Sequence, residues 1–167
     1  MASSMYNSIQ QFNEVGIGKI EKVVSKFISE EEDFADLVFG LKENLFELGR
    51  NILTEVLEDM DKYIKNSELR KLIWEIVRND SSSLLTSFGY INYKSTYYKS
   101  KENRKHLCLV DNIVGIEPHD KISADVSINA IDEAIDSTYR KGAEKATYLD
   151  DISKQAVIKT KIEDIIH

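Results

Sequence analysis

The sequence predicts a mainly α protein with one β-hairpin, arranged as an N-terminal helical hairpin or bundle followed by a C-terminal helix-turn-helix-like three-helix unit. Three observations carry that expectation. From Tyr6 to Val77 apolar residues recur at three- and four-residue steps, the spacing that lays one face of a helix against a core. Between Leu84 and Leu109 the period changes to two, and tyrosines and other strand formers cluster. Proline occurs once and glycine seven times, with 42% hydrophobic and 31% charged residues, a balance that suits a folded, helix-rich chain.

The first helix is expected over Tyr6 to Ile28, where Ile9, Phe12, Val15, Ile20, Val23, Val24, Phe27 and Ile28 form the stripe and Gly16 and Gly18 mark points of bending. Ser29 before Glu30, Glu31, Glu32 and Asp33 reads as a helix start, because a hydroxyl caps free backbone N–H groups and acids suit the positive end of the dipole. The second helix then carries Phe34, Leu37, Val38, Leu41, Leu45, Leu48, Ile52, Val56, Leu57 and Met60 at near-heptad spacing until Asn66, a stripe that demands a partner helix. Ser67 to Val77 reads as a third helix, and Asn79-Asp80-Ser81-Ser82-Ser83 as its break.

Ile91, Tyr93, Thr96 and Tyr98 predict one arm of a hairpin, Ser100 to Arg104 its tip, and Leu107 to Val110 the other arm. Past Pro118, Ser123 to Thr147 reads as two helices divided near Asp136 to Thr138. A last helix, capped by Ser153, runs through Val157, Ile158, Ile162, Ile165 and Ile166. The expected domains are an acidic helical one over 5–80, open to dimerisation, a basic tyrosine-rich hairpin over 81–118, and a helix-turn-helix-like DNA-binding unit over 119–167. Met1 to Ser4 read as an added leader before a natural start at Met5.

At 167 residues the chain has room for one domain or two small ones. Its lone cysteine, Cys108, sits among Leu107, Leu109 and Val110 and reads as a buried thiol in a reducing compartment. No apolar run approaches bilayer length and no signal peptide opens the chain, so a cytoplasmic protein with no membrane partner is expected. The net charge of −7 speaks against DNA binding by the whole chain, but the charge is uneven. Residues 1–65 hold 13 acidic against 7 basic side chains, whereas Tyr90 to His106 set Lys94, Lys99, Lys101, Arg104 and Lys105 against Glu102 alone.

Two elements are candidates for DNA. In the C-terminal unit, Ala143 supplies the small residue a close helix crossing needs, Ile152 the apolar residue ahead of the second helix, and Ser153 its cap. Lys154, Gln155, Lys159 and Lys161 project from the last helix, and Arg140 and Lys141 precede it. Lysine suits phosphates and glutamine suits base edges, although such a row also makes an ordinary solvated face. The second candidate is the hairpin, whose Lys94, Lys99, Lys101, Arg104 and Lys105 interleave with Tyr90, Tyr93, Tyr97 and Tyr98 as a nucleic-acid surface does. Tyrosines also favour strands for their own sake, and lysines guard strand edges.

Enzyme signatures are missing: no glycine-rich phosphate loop, no Cys and His at metal-ligand spacing, and no motif around His106, His119 or His167. No cofactor, metal or small-molecule substrate is therefore expected. The clusters Glu30-Glu31-Glu32-Asp33 and Glu58-Asp59-Met60-Asp61 read as solvated helix faces.

Several strings taken in order carry a family likeness. Leu41-Lys-Glu-Asn-Leu-Phe-Glu-Leu-Gly49-Arg50, Trp74-Glu-Ile-Val-Arg78-Asn-Asp80, Leu84-Leu-Thr-Ser-Phe-Gly89, Leu109-Val-Asp111 through Gly115 to His119, Ser137-Thr-Tyr139-Arg140-Lys141 and Ile152-Ser153-Lys154-Gln155 together resemble the N-terminal region of the Lre-two-type bacterial insertion-sequence transposases, long counted as an uncharacterised protein family. The resemblance covers most of Tyr6 to Ile166. It implies a DNA-recognising front section, followed in full-length members by a ribonuclease-H-like domain whose acids hold two divalent metal ions. No catalytic aspartate is carried onto this chain, and Asp111 and Asp120 stay unassigned. The chain reads as a domain of a longer protein or the product of a truncated element.

The expected function is recognition of transposon-end double-stranded DNA by the front part of a transposase that is not itself an enzyme. The alternatives are a helical interaction module, in which the Phe34 to Met60 stripe forms a homodimer, and an inert remnant of a truncated element.

Overall fold

Residues 6–117 and 120–136 are described in a computed structural model, with side chains through residue 131. Among the described residues the protein is mainly helical with one antiparallel sheet of three strands. Two compact units divide between Val56 and Leu57.

In the first unit, α1 (Asn7–Gln11) continues through a π turn at Phe12–Gly16 into α2 (Ile17–Ile28). The glycines do not break the helix. Gly16 sits inside the π turn, where a Cβ would fall 2.3 Å from the Phe12 ring. The helix ends by a Schellman arrangement: Glu30 adopts φ +61°, its amide donates to the Phe27 carbonyl, and the Glu31 amide donates to the Lys26 carbonyl. Lys26 pairs with Glu32 beside this turn.

The start of the next helix differs from the sequence expectation for that reason. Ser29 is the last residue of α2's turn, and its hydroxyl donates back to the Lys26 carbonyl. Asp33 takes the capping place instead. Its carboxylate accepts from the Asp36 amide at 2.9 Å, while the Asp36 carboxylate accepts from the Asp33 amide at 3.3 Å, a reciprocal capping box that opens α3 (Phe34–Asn66). Contacts between α1–α2 and α3 run in opposite chain directions: Glu55 accepts from the Asn7 and Ser8 amides, Lys19 pairs with Glu47, and Val23 lies where a Cβ on Gly40 would fall 2.7 Å from Cγ1.

The second unit begins with the last part of α3. Ser67 caps the short α4 (Glu68–Ile73) by accepting from the Arg70 amide. The helix expected to reach Val77 stops at Ile73. Trp74–Thr86 is β1, and it pairs along its length with β2 (Gly89–Ser100), from Trp74 opposite Ser100 to Thr86 opposite Gly89, with a bulge between Ile76 and Arg78. Asn79 to Ser83, read from sequence as a break, is the middle of this strand. A two-residue turn, Ser87-Phe88, joins the strands, and Gly89 at φ +108° closes it where a Cβ would be strained.

The predicted tip at Ser100 to Arg104 exists, as the turn from β2 into the short β3 (His106–Cys108). Leu109 and Val110 do not extend that strand. They open α5 (Leu109–Val114), which ends at Gly115 with φ +76°. Lys121 to Ser123 then run beside β1, where the Leu85 amide donates to the Lys121 carbonyl and the Ser123 amide to the Leu85 carbonyl, and lead into α6 (Ala124–Asp136). The expected division near Asp136 to Thr138 and the last helix lie outside the described residues.

Leu84, Leu85, Ile91, Tyr93, Val110, Ile122, Val126 and Ala130 form the apolar centre of this unit, with α5 against β2 and α6 against β1. The buried face of β2 changes midway. Ile91, Tyr93 and Ser95 are buried on one side, and Thr96, Tyr98 and Ser100 on the other. The second side meets α3, where Asp61 accepts from the Thr96 amide at 2.9 Å and the Thr96 hydroxyl at 2.6 Å, and Glu58 accepts from the Lys94 amide at 3.0 Å. Those amides lie on the edge of β2 that β3 is too short to reach. Two carboxylates of the cluster read as a solvated face thus close a strand edge.

Candidate nucleic-acid interface

The hairpin between β2 and β3 brings together four of the five predicted cations. Lys99 stands opposite His106 at the last rung, and Lys101, Arg104 and Lys105 are exposed in the turn. The turn is held by its own backbone. The Ser100 amide donates to the Lys105 carbonyl at 2.8 Å, the Arg104 amide to the Ser100 carbonyl at 3.2 Å, and Arg104 takes φ +58°. Lys101 is tied elsewhere, its Nζ donating to the Lys71 carbonyl at 2.7 Å and its amide to the Ile73 carbonyl at 3.0 Å. Lys94 departs from the group: by strand alternation it lies on the face of β2 opposite Lys99, exposed, with its amide on Glu58. Arg140, Lys141, Ser153, Lys154, Gln155, Lys159 and Lys161 lie outside the described residues.

Beside the turn, on the face of β2 that carries Tyr97 and Lys99, is a cleft of about 470 Å³ between the sheet and α5. One wall is a row of planar groups. The Arg78 guanidinium lies 4.3 Å over the Tyr97 ring, from the strand position directly opposite, and Tyr97 is stacked with His106 at a centroid separation of 6.0 Å and an interplanar angle of 20°. Asp80 fixes the guanidinium, accepting from Nε with both carboxylate oxygens at 2.8 and 2.9 Å, and this pairing raises the Arg78 pKa.

The rest of the cleft mixes polar and apolar groups, Leu107 among the latter. Ser82, Ser95, Asp111 and Asn112 line it, with Cys108 and Ile116. Asp111 Oδ1 accepts from the Tyr93 hydroxyl at 2.8 Å. Burial first, and the bond to Asp111 second, hold the Tyr93 hydroxyl well above the ordinary phenol range, so it remains a donor. Burial likewise pushes the Cys108 thiol up to about 11, which keeps it protonated at neutral pH, although the residue is half-buried in the cleft lining and not fully buried as its apolar neighbours in sequence suggest.

Sequence reasoning missed Arg78, Ser95 and Asp111 as partners in a site. Arg78 lay between a segment read as helix and one read as its break, and Asp111 just past a segment read as strand. Only the alternation of Tyr93, Ser95 and Tyr97 signalled that these residues share a face. Among the described residues no helix is long and apolar enough to cross a membrane.

The model of the Uncharacterised protein family (UPF0236) matches residues 28–166 of this chain. Relatives from Caldanaerobacter subterraneus subsp. tengcongensis include UPF0236 protein TTE2489, 33% identical over 140 residues that make up 84% of this chain and 30% of the relative. UPF0236 protein TTE1650/TTE2708 is 33% identical over 84% of this chain and 28% of its own length. The UPF0236 protein group that includes TTE0033 is 37% identical over 126 residues, 75% of this chain and 27% of the relative. The chain therefore spans less than a third of the length of these relatives. No solved structure matches it.

Proposed function

We propose, from the premise that this chain belongs to the Uncharacterised protein family (UPF0236), that it is the DNA-binding N-terminal part of an insertion-sequence transposase, recognising transposon-end double-stranded DNA. Strand cutting and joining are assigned to a ribonuclease-H-like domain in the remainder of full-length members, so the chain itself needs no cofactor and acts in the cytoplasm. The observation that supports this most is the hairpin turn, where Lys99, Arg104 and Lys105 gather next to the planar row of Arg78, Tyr97 and His106. Exposed cations serve phosphates and planar side chains serve bases. The acidic net charge is concentrated in residues 1–65, away in sequence from this turn.

Within this reading, the helix-turn-helix-like unit supplies base readout through its last helix, with Lys154, Gln155, Lys159 and Lys161 toward the groove and Arg140 and Lys141 on phosphates. The hairpin fixes register on the backbone. Substituting Lys154→Ala or Lys159→Ala weakens a mobility shift with terminal inverted repeats, and an unchanged shift for both sinks this assignment.

A second reading assigns self-association to the N-terminal helical hairpin. It is favoured by the exposure of the heptad-like stripe, in which Phe34 is 67% and Leu45 51% exposed. A dimer of transposase front parts would hold two DNA ends. Analytical ultracentrifugation decides it, since a monomer at micromolar concentration excludes stable self-association.

A further inference from the structure

Exposed cations are sufficient to hold a phosphate backbone, yet the hairpin also borders a built cleft that phosphate contact does not use. We propose that this cleft receives one unpaired nucleobase bearing an exocyclic amino group, while the phosphates that flank it rest on Lys99 and Lys105. The inference rests on the DNA-binding reading above and adds the substrate feature that this face selects.

Three properties of the cleft point to a base. Its volume of about 470 Å³ falls in the range of roughly 300–1,000 Å³ typical of small-molecule sites. Its wall of Arg78, Tyr97 and His106 is planar, and planar π-faces hold bases by stacking, irrespective of sequence. Its remaining lining is mixed, with hydrogen-bonding groups on Ser82, Ser95, Asn112 and Asp111 beside the apolar Leu107 and Ile116.

The charges inside the cleft exclude the alternative of a phosphate site. Arg78 is the one guanidinium of the lining and is already matched by Asp80, while Asp111 adds a second carboxylate. A phosphate would meet net negative charge there. An amino group would meet an acceptor: the Asp111 carboxylate receives the Tyr93 hydroxyl on Oδ1 and also the Cys108 thiol, and a carboxylate, with about four lone-pair sites, has capacity for a further donor on the ligand. Adenine, cytosine and guanine carry an exocyclic amino group, whereas an unpaired thymine offers only its ring N3–H. Outside the cleft the sign reverses, because Lys99 follows Tyr97 on the same face and Lys105 precedes His106 in the turn.

The test measures fluorescence anisotropy of the full 167-residue chain with three labelled duplexes: fully paired, carrying a single bulged adenine, and carrying a single bulged thymine in the same place. The wild type is expected to bind the bulged adenine at least about fivefold tighter than the paired duplex, the low end of what one stacked base contributes, and the bulged thymine less tightly than adenine. His106→Ala and Tyr97→Leu remove the preference, read as the ratio of the affinities for the bulged-adenine and paired duplexes. Equal wild-type affinity for all three duplexes overturns the base site while leaving DNA binding intact, as does a preference that survives both substitutions. Absence of binding to any of the three overturns the DNA-binding reading and this proposal together. Should Tyr97→Leu fail to fold by circular dichroism, exposed His106 decides the matter.

Discussion

Asp61 holds both the backbone amide and the side-chain hydroxyl of Thr96, at 2.9 and 2.6 Å, and the two residues are almost fully buried. The pair joins the end of α3 to the middle of β2 at the point where β3 gives out. Asp61→Ala leaves the buried Thr96 amide without an acceptor and the Thr96 hydroxyl with only Asn79 Oδ1 at 3.2 Å, so urea denaturation should report a loss of about 3 kcal/mol, with hydrogen bonds to a charged group contributing about 1.5–3 kcal/mol each. Asp61→Asn keeps an acceptor and should cost less. Equal losses for the two variants would show that the carboxylate is not the acting group.

The two glycines Gly18 and Gly40 should respond in opposite ways to alanine. A Cβ on Gly18 meets nothing within 4 Å, so Gly18→Ala gains helix propensity, about 0.8–1.0 kcal/mol. A Cβ on Gly40 falls 2.7 Å from a Val23 methyl group, so Gly40→Ala forces α2 and α3 to adjust, and typical overpacking costs of about 1–3 kcal/mol cancel or exceed that gain. Thermal denaturation of the two variants in parallel checks this. A higher melting temperature for Gly40→Ala than for Gly18→Ala would contradict the close approach.

Asp125 should make the hairpin turn sensitive to acid. Its carboxylate accepts from the Ser87 amide at 3.0 Å and the Ser87 hydroxyl at 2.5 Å, and also from Ser123. Burial alone would raise its pKa, but the bonds from Ser123 and Ser87 outweigh that and hold it below the ordinary value. A folded pKa below the unfolded one means stability that is present above about pH 4 and lost as pH falls through the folded value. Urea denaturation between pH 6 and pH 3 should therefore show an acid-dependent loss that is smaller in Asp125→Asn. Identical pH profiles for the two proteins would count against the assignment.

Cys108 should react slowly with thiol reagents while the protein is folded. Its thiol is pushed up to about 11 by burial, and the thiolate is the reactive form. Alkylation at pH 8 should accelerate strongly in denaturant, and equal rates in the two conditions would refute a protonated native thiol.

Much of the chain could be read from its residues, and the failures have definable causes. The β2–β3 turn was legible because strand formers at Ile91, Tyr93, Thr96 and Tyr98 lead into the polar run Ser100 to Arg104. Strand β1 was not. Trp74 to Val77 is apolar without alternation, and Asn79 to Ser83 consists of residues that favour turns, so local preference argued against a strand. Pairing with β2 overrides it: Arg78 covers Tyr97, and Ser82 lies opposite Tyr93, supports that exist only once the chain has folded. Ser29 and Asp33 are both good caps four residues apart, and the left-handed turn at Glu30, invisible to composition, assigns the cap to Asp33. The cleft was legible only in part, because Arg78, Tyr97 and Asp111 come from three elements that sequence spacing does not relate.

The most direct test of DNA contact at the hairpin is the salt dependence of duplex binding. Wild-type affinity measured by anisotropy over a range of salt should give a log–log slope that becomes shallower by about 0.9 for each phosphate contact removed, hence by about 2.7 in the triple variant Lys99→Gln, Arg104→Gln, Lys105→Gln. An unchanged slope in the triple variant, or a wild type that binds no duplex even at low salt, would contradict the account.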